Sequence, residues 1–243
     1  DTLTVQLSKV EADMIVHYLA QESESPWWAQ HSEFLRMRGF PENELKKIAE
    51  SHPDSGYEIK GRLNLRTLTE ADTIEVSNYS FQCIETPGHS PGHICLYEPQ
   101  KRIFVSGDHL LGDITPNIAL WADDVNPLKD YLASLKKIQN LGVEVVLPGH
   151  GAPFRNFGAR IKEIMNHHQR RADEVICIMR KGTQNALDIA SQMTWDLQEP
   201  WEQFPASQKW FACGEALAHL KYLEAEGKIE TSIQERKIVF SLK

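Results

Sequence analysis

The sequence is poor in cysteine, in positive charge and in long apolar runs, and each shortage removes a class of function. Its 4 cysteines, Cys83, Cys95, Cys177 and Cys213, include no C-x-x-C pair. A zinc knuckle or a dithiol redox motif is therefore not indicated, and reduced, mostly buried thiols are expected. Lys and Arg number 26 against 34 Asp and Glu, a formal net charge of -8. That balance argues against broad attraction to nucleic acid, which depends on neutralising phosphates, although it leaves room for a local basic cleft. No apolar run nears the roughly 18 residues of a membrane span. Signal-peptide, polybasic and lipidation patterns are also lacking. The expectation is a cytoplasmic protein with no membrane partner. What remains is a chain of 243 residues, 41% hydrophobic and 25% charged, which reads as an ordinary globular protein of one large domain or one medium and one small.

Asp1 leads directly into "TLTVQL", an alternating strand-like run, so the chain reads as beginning inside a domain. "SKVEADMIVHYLA" opens with the capping-box pair Ser8 and Glu11 and continues as an amphipathic helix. Two further helices are predicted, around Ala29–Arg38 and from Pro41 to about His52. His17, His31 and His52 fall in or beside these helices and read as surface or packing residues, because no second ligand type recurs beside them.

From Asp72 the pattern changes to short strands. "TIEV", "YSFQCIE", "HICLYE" and "RIFVSG" are joined by hairpin-type turns. "NPLKDYLASLKKIQNL" is a predicted helix with Leu128, Leu132, Leu135 and Ile138 on its apolar face, and "VEVVL" a buried strand after it. Strand, helix, strand implies a parallel crossover. Following the chain up and down through these strands brings "PGH" with His89, "SGD" with Asp108 and "PGH" with His150 to the same end of one sheet. Open α/β sheets place their sites in loops at that carboxyl end. Singly, a His after Pro-Gly or an Asp in a turn is more often structural. Together, two histidines and a carboxylate at one edge point to a metal site.

The stretches "TPGHSPGH", "VSGDHLL" and "LPGHG" resemble the later metal-binding motifs of the metallo-β-lactamase-fold hydrolases, and the resemblance extends over roughly residues 1–168. It implies an α/β fold, an αββα sandwich with two metal ions, usually Zn2+, between its sheets. It further implies that His89 ligates one metal, that Asp108 bridges both and that His150 ligates the other, with His93 and His109 in supporting roles. The implied activity is hydrolysis of an ester, thioester or lactone of a small-molecule substrate by a metal-bound hydroxide. One departure stands out: the family's earlier H-x-H-x-D-H motif, carrying four of its seven ligands, is absent from this sequence. An N-terminally incomplete domain is the expectation, with a naturally degenerate site as the alternative. Either way zinc should be partial or absent, activity weak, and an uncovered sheet face should drive self-association or be covered by a missing N-terminal segment.

After a long helix from about Gly158 to Lys181, residues 169–243 read as a linker helix and a separate small α+β unit of helix, longer helix and hairpin, an order that resembles a winged-helix module. Winged helices often bind DNA, but acidic residues outnumber basic ones from Lys181 onward, which is not a phosphate-binding balance. Ala212, Ala216, Leu217, Leu220 and Leu223 instead suggest packing against the hydrolase domain or a second subunit, and the histidines and arginines at 167–171 a solvated face. Two further functions remain open. An endoribonuclease would need a basic cleft near His150, Arg155, Arg160, Arg170 and Arg171. A non-catalytic binding protein would use a degenerate hydrolase half.

Overall fold

The computed structural model describes residues 4–20, 26–51 and 64–243, with the side chains at 17–20, 26–30 and 51 left undescribed. The His17 and His52 side chains and the first residues of the predicted Thr2–Leu7 strand lie outside what is described. The chain forms two compact units. The first holds strand β1 (Thr4–Ser8), helix α1 (Lys9–Ala20), strands β2 (Asn64–Leu68), β3 (Thr73–Val76), β4 (Tyr79–Glu85), β5 (Ile94–Glu98), β6 (Ile103–Gly107) and β7 (Val145–Pro148), and residues of helices α4 (Pro127–Ile138) and α5 (Phe157–Met179). To the second belong helices α2 (Pro26–Arg36) and α3 (Glu42–Ser51), the stretch Ile118–Leu128, and everything from His168 on. That last part comprises the end of α5, strand β8 (Gln184–Asn185), helices α6 (Ala186–Ala190) and α7 (Ala206–Ala225), and the hairpin β9 (Ile229–Gln234) and β10 (Lys237–Leu242).

The first unit is built on a five-stranded sheet of order β3-β4-β5-β6-β7. β3 to β6 are antiparallel neighbours and β7 pairs parallel to β6, with Phe104 opposite Val146. The positive φ of Ser77 (55°) and Arg102 (56°) turns the β3–β4 and β5–β6 hairpins. Alternation along the strands buries Cys83, Cys95, Tyr97, Phe104 and Val146. Phe157, at the start of α5, meets the Phe104 ring edge-on with centroids 5.3 Å apart. β1 and β2 form a separate two-stranded parallel sheet, Val5 opposite Leu65. β2 was not expected from the sequence, because "NLRTL" carries one buried apolar side chain, Leu68, and one half-buried, Leu65, among exposed polar ones.

α4 differs in detail from the predicted helix. Its buried positions are Leu128, Tyr131, Ser134, Leu135 and Ile138, and Leu132 is only half-buried. Leu128, Leu135 and Ile138 thus lie on the buried face as expected, while Tyr131 takes the place of Leu132 and Ser134 joins it.

In the second unit the sheet order is β8-β10-β9. The α7 residues expected to pack, Ala212, Ala216, Leu217, Leu220 and Leu223, are buried; α7 packs on α3, which lies within the residues 1–168 read as the hydrolase domain, and on α6 and β9. The Trp210 indole donates to His31 Nε2 at 3.0 Å, and Trp121 stacks obliquely on Trp210 with centroids 4.7 Å apart. α2 ends at Arg36, short of the predicted Arg38, because Gly39 takes φ 104° and the Phe40 amide closes on Leu35 O. The charged run on α5 is a second correction. His168 and Arg171 are buried; they share a helix face with Ala172, Val175 and Ile178, a spacing of three and four that the charges disguised. Arg171 pairs with Glu174 at 2.7 Å and Glu215 at 3.1 Å and donates to Thr194 O. His219 donates from Nδ1 to Glu215 O at 2.8 Å, and its Nε2 lies 3.3 Å from His168 Nδ1.

Candidate metal centre

β4, β6 and β7 run the same way, so the loops that follow them emerge at one end of the sheet, as the strand pattern required. After β4 the chain turns at Gly88, whose φ of 145° and contact with Tyr131 leave no room for a Cβ. α4 fixes this loop from one side: Ser134 Oγ donates to Pro87 O at 2.8 Å and Lys137 Nζ to Glu85 O at 2.8 Å. After β6, Gly107 takes φ 50° and presents Asp108. After β7, the Gly149 amide donates to Gly107 O at 2.8 Å, and a Cβ on Gly149 would come within 2.6 Å of Asp108 Oδ1. The glycine thus lets the His150 loop close onto the Asp108 loop.

The three side chains converge. His89 Nε2 lies 3.7 Å from Asp108 Oδ2, and His150 Nε2 lies 3.5 Å from Asp108 Oδ1. Neither distance is a hydrogen bond. Asp108 Oδ1 is buried and accepts no hydrogen bond among the described residues. His89 Nδ1 is 3.0 Å from Asn117 O. A carbonyl only accepts, so Nδ1 carries a proton and Nε2 is the nitrogen that faces Asp108, the orientation typical of ligating histidines.

Whether these residues fit a metal can be asked of the distances. Two ligand atoms, each about 2.1 Å from a tetrahedral ion, lie about 3.4 Å apart, close to both separations. An imidazole lone pair and an orphaned carboxylate oxygen are the right donor types. Each half of the carboxylate, however, faces one histidine, and among the described residues no group of three His, Cys, Asp or Glu is placed to hold an ion. The donors therefore fit two half-sites sharing Asp108, each one donor short of the three protein ligands usual for catalytic zinc.

His93 and His109 stand behind this edge, and neither hydrogen-bonds His89, Asp108 or His150. His93 Nδ1 lies 2.9 Å from Thr86 Oγ1, and a Cβ on Gly107 would sit 2.8 Å from its Nε2. Burial, and then the neighbouring His89, push its pKa down to about 4. His109 is fully buried, its ring edge-on to Tyr131 at 5.0 Å, and neither nitrogen has a hydrogen-bond partner among the described residues. Burial holds it neutral, pushed down to about 3.

Sequence reading missed the residues that hold the Asp108 loop. The Tyr131 hydroxyl donates to His109 O at 2.8 Å, and Arg160 donates from Nε to Leu111 O and from Nη2 to Ile114 O, both at 2.7 Å. A buried arginine in "GARIKEIM" was a signal that could have been found, since it recurs on the face of Phe157, Ile161 and Ile164. Two of the four arginines needed for a basic cleft, Arg160 and Arg171, are thus buried and already engaged.

Comparison with known proteins bears on the family and the fold. Residues 10–150 match the metallo-beta-lactamase superfamily, and residues 172–241 match the metallo-beta-lactamase-like C-terminal domain. An atrochrysone carboxyl ACP thioesterase of Aspergillus fumigatus is 28% identical over 144 residues, 59% of this chain and 41% of that protein. The beta-lactamase-like protein 2 homolog of Caenorhabditis elegans is 30% identical over 129 residues, 53% of this chain and 41% of that one. The chain spans less than half the length of these curated relatives. A crystal structure of a metallo-beta-lactamase family protein from Thermus thermophilus aligns with a TM-score of 0.79 at 25% identity, covering 99% of this chain and 72% of that one. Members of the superfamily typically bind metal ions. With more than half of its residues matched and the mixed α/β fold in common, the chain belongs to the metallo-beta-lactamase superfamily.

Proposed function

We propose that this chain carries part of a zinc-dependent hydrolase centre acting on an ester, thioester or lactone of a small molecule, in the cytoplasm, where its thiols stay reduced. The observation that carries the reading is the split carboxylate of Asp108, with one oxygen toward His89 and the other toward His150 at 3.7 and 3.5 Å. A thioester is favoured because a relative of this chain is named as a carrier-protein thioesterase.

His89 and Asp108 would hold one cation, Asp108 and His150 the other. When bound, such a cation makes water a nucleophile near neutral pH and polarises the carbonyl under attack. The chain's own contribution is orientation. The Asn117 carbonyl keeps the His89 Nδ1 proton in place, Gly149 lets the third loop approach, and the half-buried ring of His93 and the fully buried ring of His109 back the site. The C-terminal order of helix, helix and hairpin supports a winged-helix-like module. With the apolar face of α7 packed within its own unit and acidic residues in excess from Lys181 onward, the reading for that module is a packing role rather than nucleic-acid binding.

Zinc titration followed by calorimetry tests the centre. Two donors per position should give weak binding, less than two ions per chain after dialysis, and Asp108→Ala should abolish it. Release of free thiol from an acyl thioester should be slow in the zinc-loaded chain and absent in Asp108→Ala. Two tightly held ions, or binding that survives Asp108→Ala, would show that the ligand set is wrong. Zinc bound with no ester, thioester, lactone or RNA cleaved would favour the binding-protein reading.

A further inference from the structure

Ser8 and Glu11 open α1 as a capping box, but the box is only half closed. Ser8 Oγ accepts the Glu11 amide at 3.1 Å. In the usual box the Glu carboxylate then returns to the amide of the cap residue. Here Glu11 Oε1 accepts the backbone N–H of Gly92 at 2.9 Å, 81 residues away in sequence. The approach is close enough that a Cβ on Gly92 would collide with Ser8 Oγ and lie 2.8 Å from Glu11 Cγ. Gly92 sits between His89 and His93. Within this loop the backbone makes two bonds, Gly88 N to Ser90 O at 3.1 Å and His93 N to Ser90 O at 3.4 Å, and the Thr86 amide closes its base on His93 O at 2.8 Å. Its shape therefore depends on what grips it from outside. α4 grips the start, through Ser134 on Pro87 and Tyr131 against Gly88. At the other end Thr86 holds His93, and α1 holds Gly92 through Glu11.

We propose that Glu11 is a positioning residue: through the Gly92 N–H its carboxylate holds the Pro87–His93 loop in the shape that aims His89 at Asp108. The inference rests on the metal-centre reading for its purpose, but the contact itself does not involve a metal. A rival account gives Glu11 only a helix-stabilising role, as a negative charge in the first turn. The two accounts separate cleanly with conservative variants. Glu11→Gln keeps the reach and an acceptor oxygen while losing the charge. Glu11→Asp keeps the charge while losing one methylene of reach.

Amide hydrogen exchange of the metal-free chain, read over residues 87–93, is the first measurement, with the His89 imidazole Nδ1–H followed by nitrogen-15 NMR. Positioning requires Glu11→Asp and Glu11→Ala to speed exchange there about tenfold, the scale of one hydrogen bond, and to broaden or shift the His89 signal, with Glu11→Gln close to wild type. Zinc affinity should follow the same order. Equal behaviour of Glu11→Gln and Glu11→Ala, or unchanged exchange in Glu11→Asp, would overturn the proposal in favour of the helix-charge account. Faster exchange with undiminished zinc affinity would also overturn it. If wild type binds no zinc yet exchange and the His89 signal follow the reach order, the metal reading falls and the anchoring of the loop stands. Glu11→Asp and Glu11→Gln are close enough in size to wild type to fold even if Glu11→Ala does not.

Discussion

Tyr131 shows how much of the candidate centre rests on a residue with no chemistry of its own. It is fully buried, its backbone crowds Gly88 behind His89, and its hydroxyl ties down the carbonyl of His109, the residue after Asp108. Burial raises its phenol far above the ordinary range, so it stays a proton donor at any working pH. Tyr131→Phe keeps the ring and removes one donor from a buried carbonyl. Leaving such a group unsatisfied costs about 1–3 kcal/mol. Urea denaturation should show the unfolding free energy falling by that amount, as a lower midpoint at an unchanged slope, and zinc affinity should fall with it because the Asp108 loop is loosened. A change below about 0.5 kcal/mol would mean that water replaces the hydroxyl. None of this was visible from the sequence, where Tyr131 was one aromatic residue in a leucine-rich helix.

At the scale of elements, what could be read was what local pattern specifies. β3 to β7 and α4 carry alternation, turns and periodicity, so the strand directions followed, and with them the shared end of His89, Asp108 and His150. Other features depend on partners far along the chain. β1 pairs with β2 some sixty residues away, and nothing in "NLRTL" announces it. Arg171 looked solvent-facing because arginine usually is; a glutamate on α7 is what allows its burial. The supporting hydrogen bonds expected of His93 and His109 to the three candidate ligands are not formed: His93 Nδ1 is taken up by Thr86, and His109 is fully buried against Tyr131. The β9–β10 hairpin offers a test at this scale. Its two-residue turn, Glu235 and Arg236, has φ of 48° and 65°, the geometry that favours Asn-Gly. Non-glycine residues in this region cost on the order of 1 kcal/mol. Replacing the pair with Asn and Gly should raise the unfolding free energy of the second unit by about 1 kcal/mol, seen as a higher denaturation midpoint. No gain in hydrogen-exchange protection across Ile229–Leu242 would mean the turn is not held in that form in solution.

For the whole molecule the open question is what the first unit's surface does in solution. Val5 on β1 and Val10, Met14 and Val16 on α1 are exposed large apolar side chains, Met14 by 50%. Val10 and Met14 are four apart and share one helix face. Among the described residues β1 pairs only with β2, and a strand with an unpaired edge is a template for another chain. Exposed apolar residues scattered singly need no explanation, whereas a cluster beside a strand edge marks an interaction site. We therefore expect the chain to self-associate, with the apparent mass in light scattering rising with concentration. The Val10→Lys, Met14→Glu double substitution should return it to a single species of 27.7 kDa. Placing opposite charges four residues apart leaves the helix itself supported, so loss of association could not be blamed on unfolding if circular dichroism is unchanged. A wild-type chain that stays monomeric at every concentration would show that this surface needs no partner, and that the uncovered face expected from the sequence is not a cause of association.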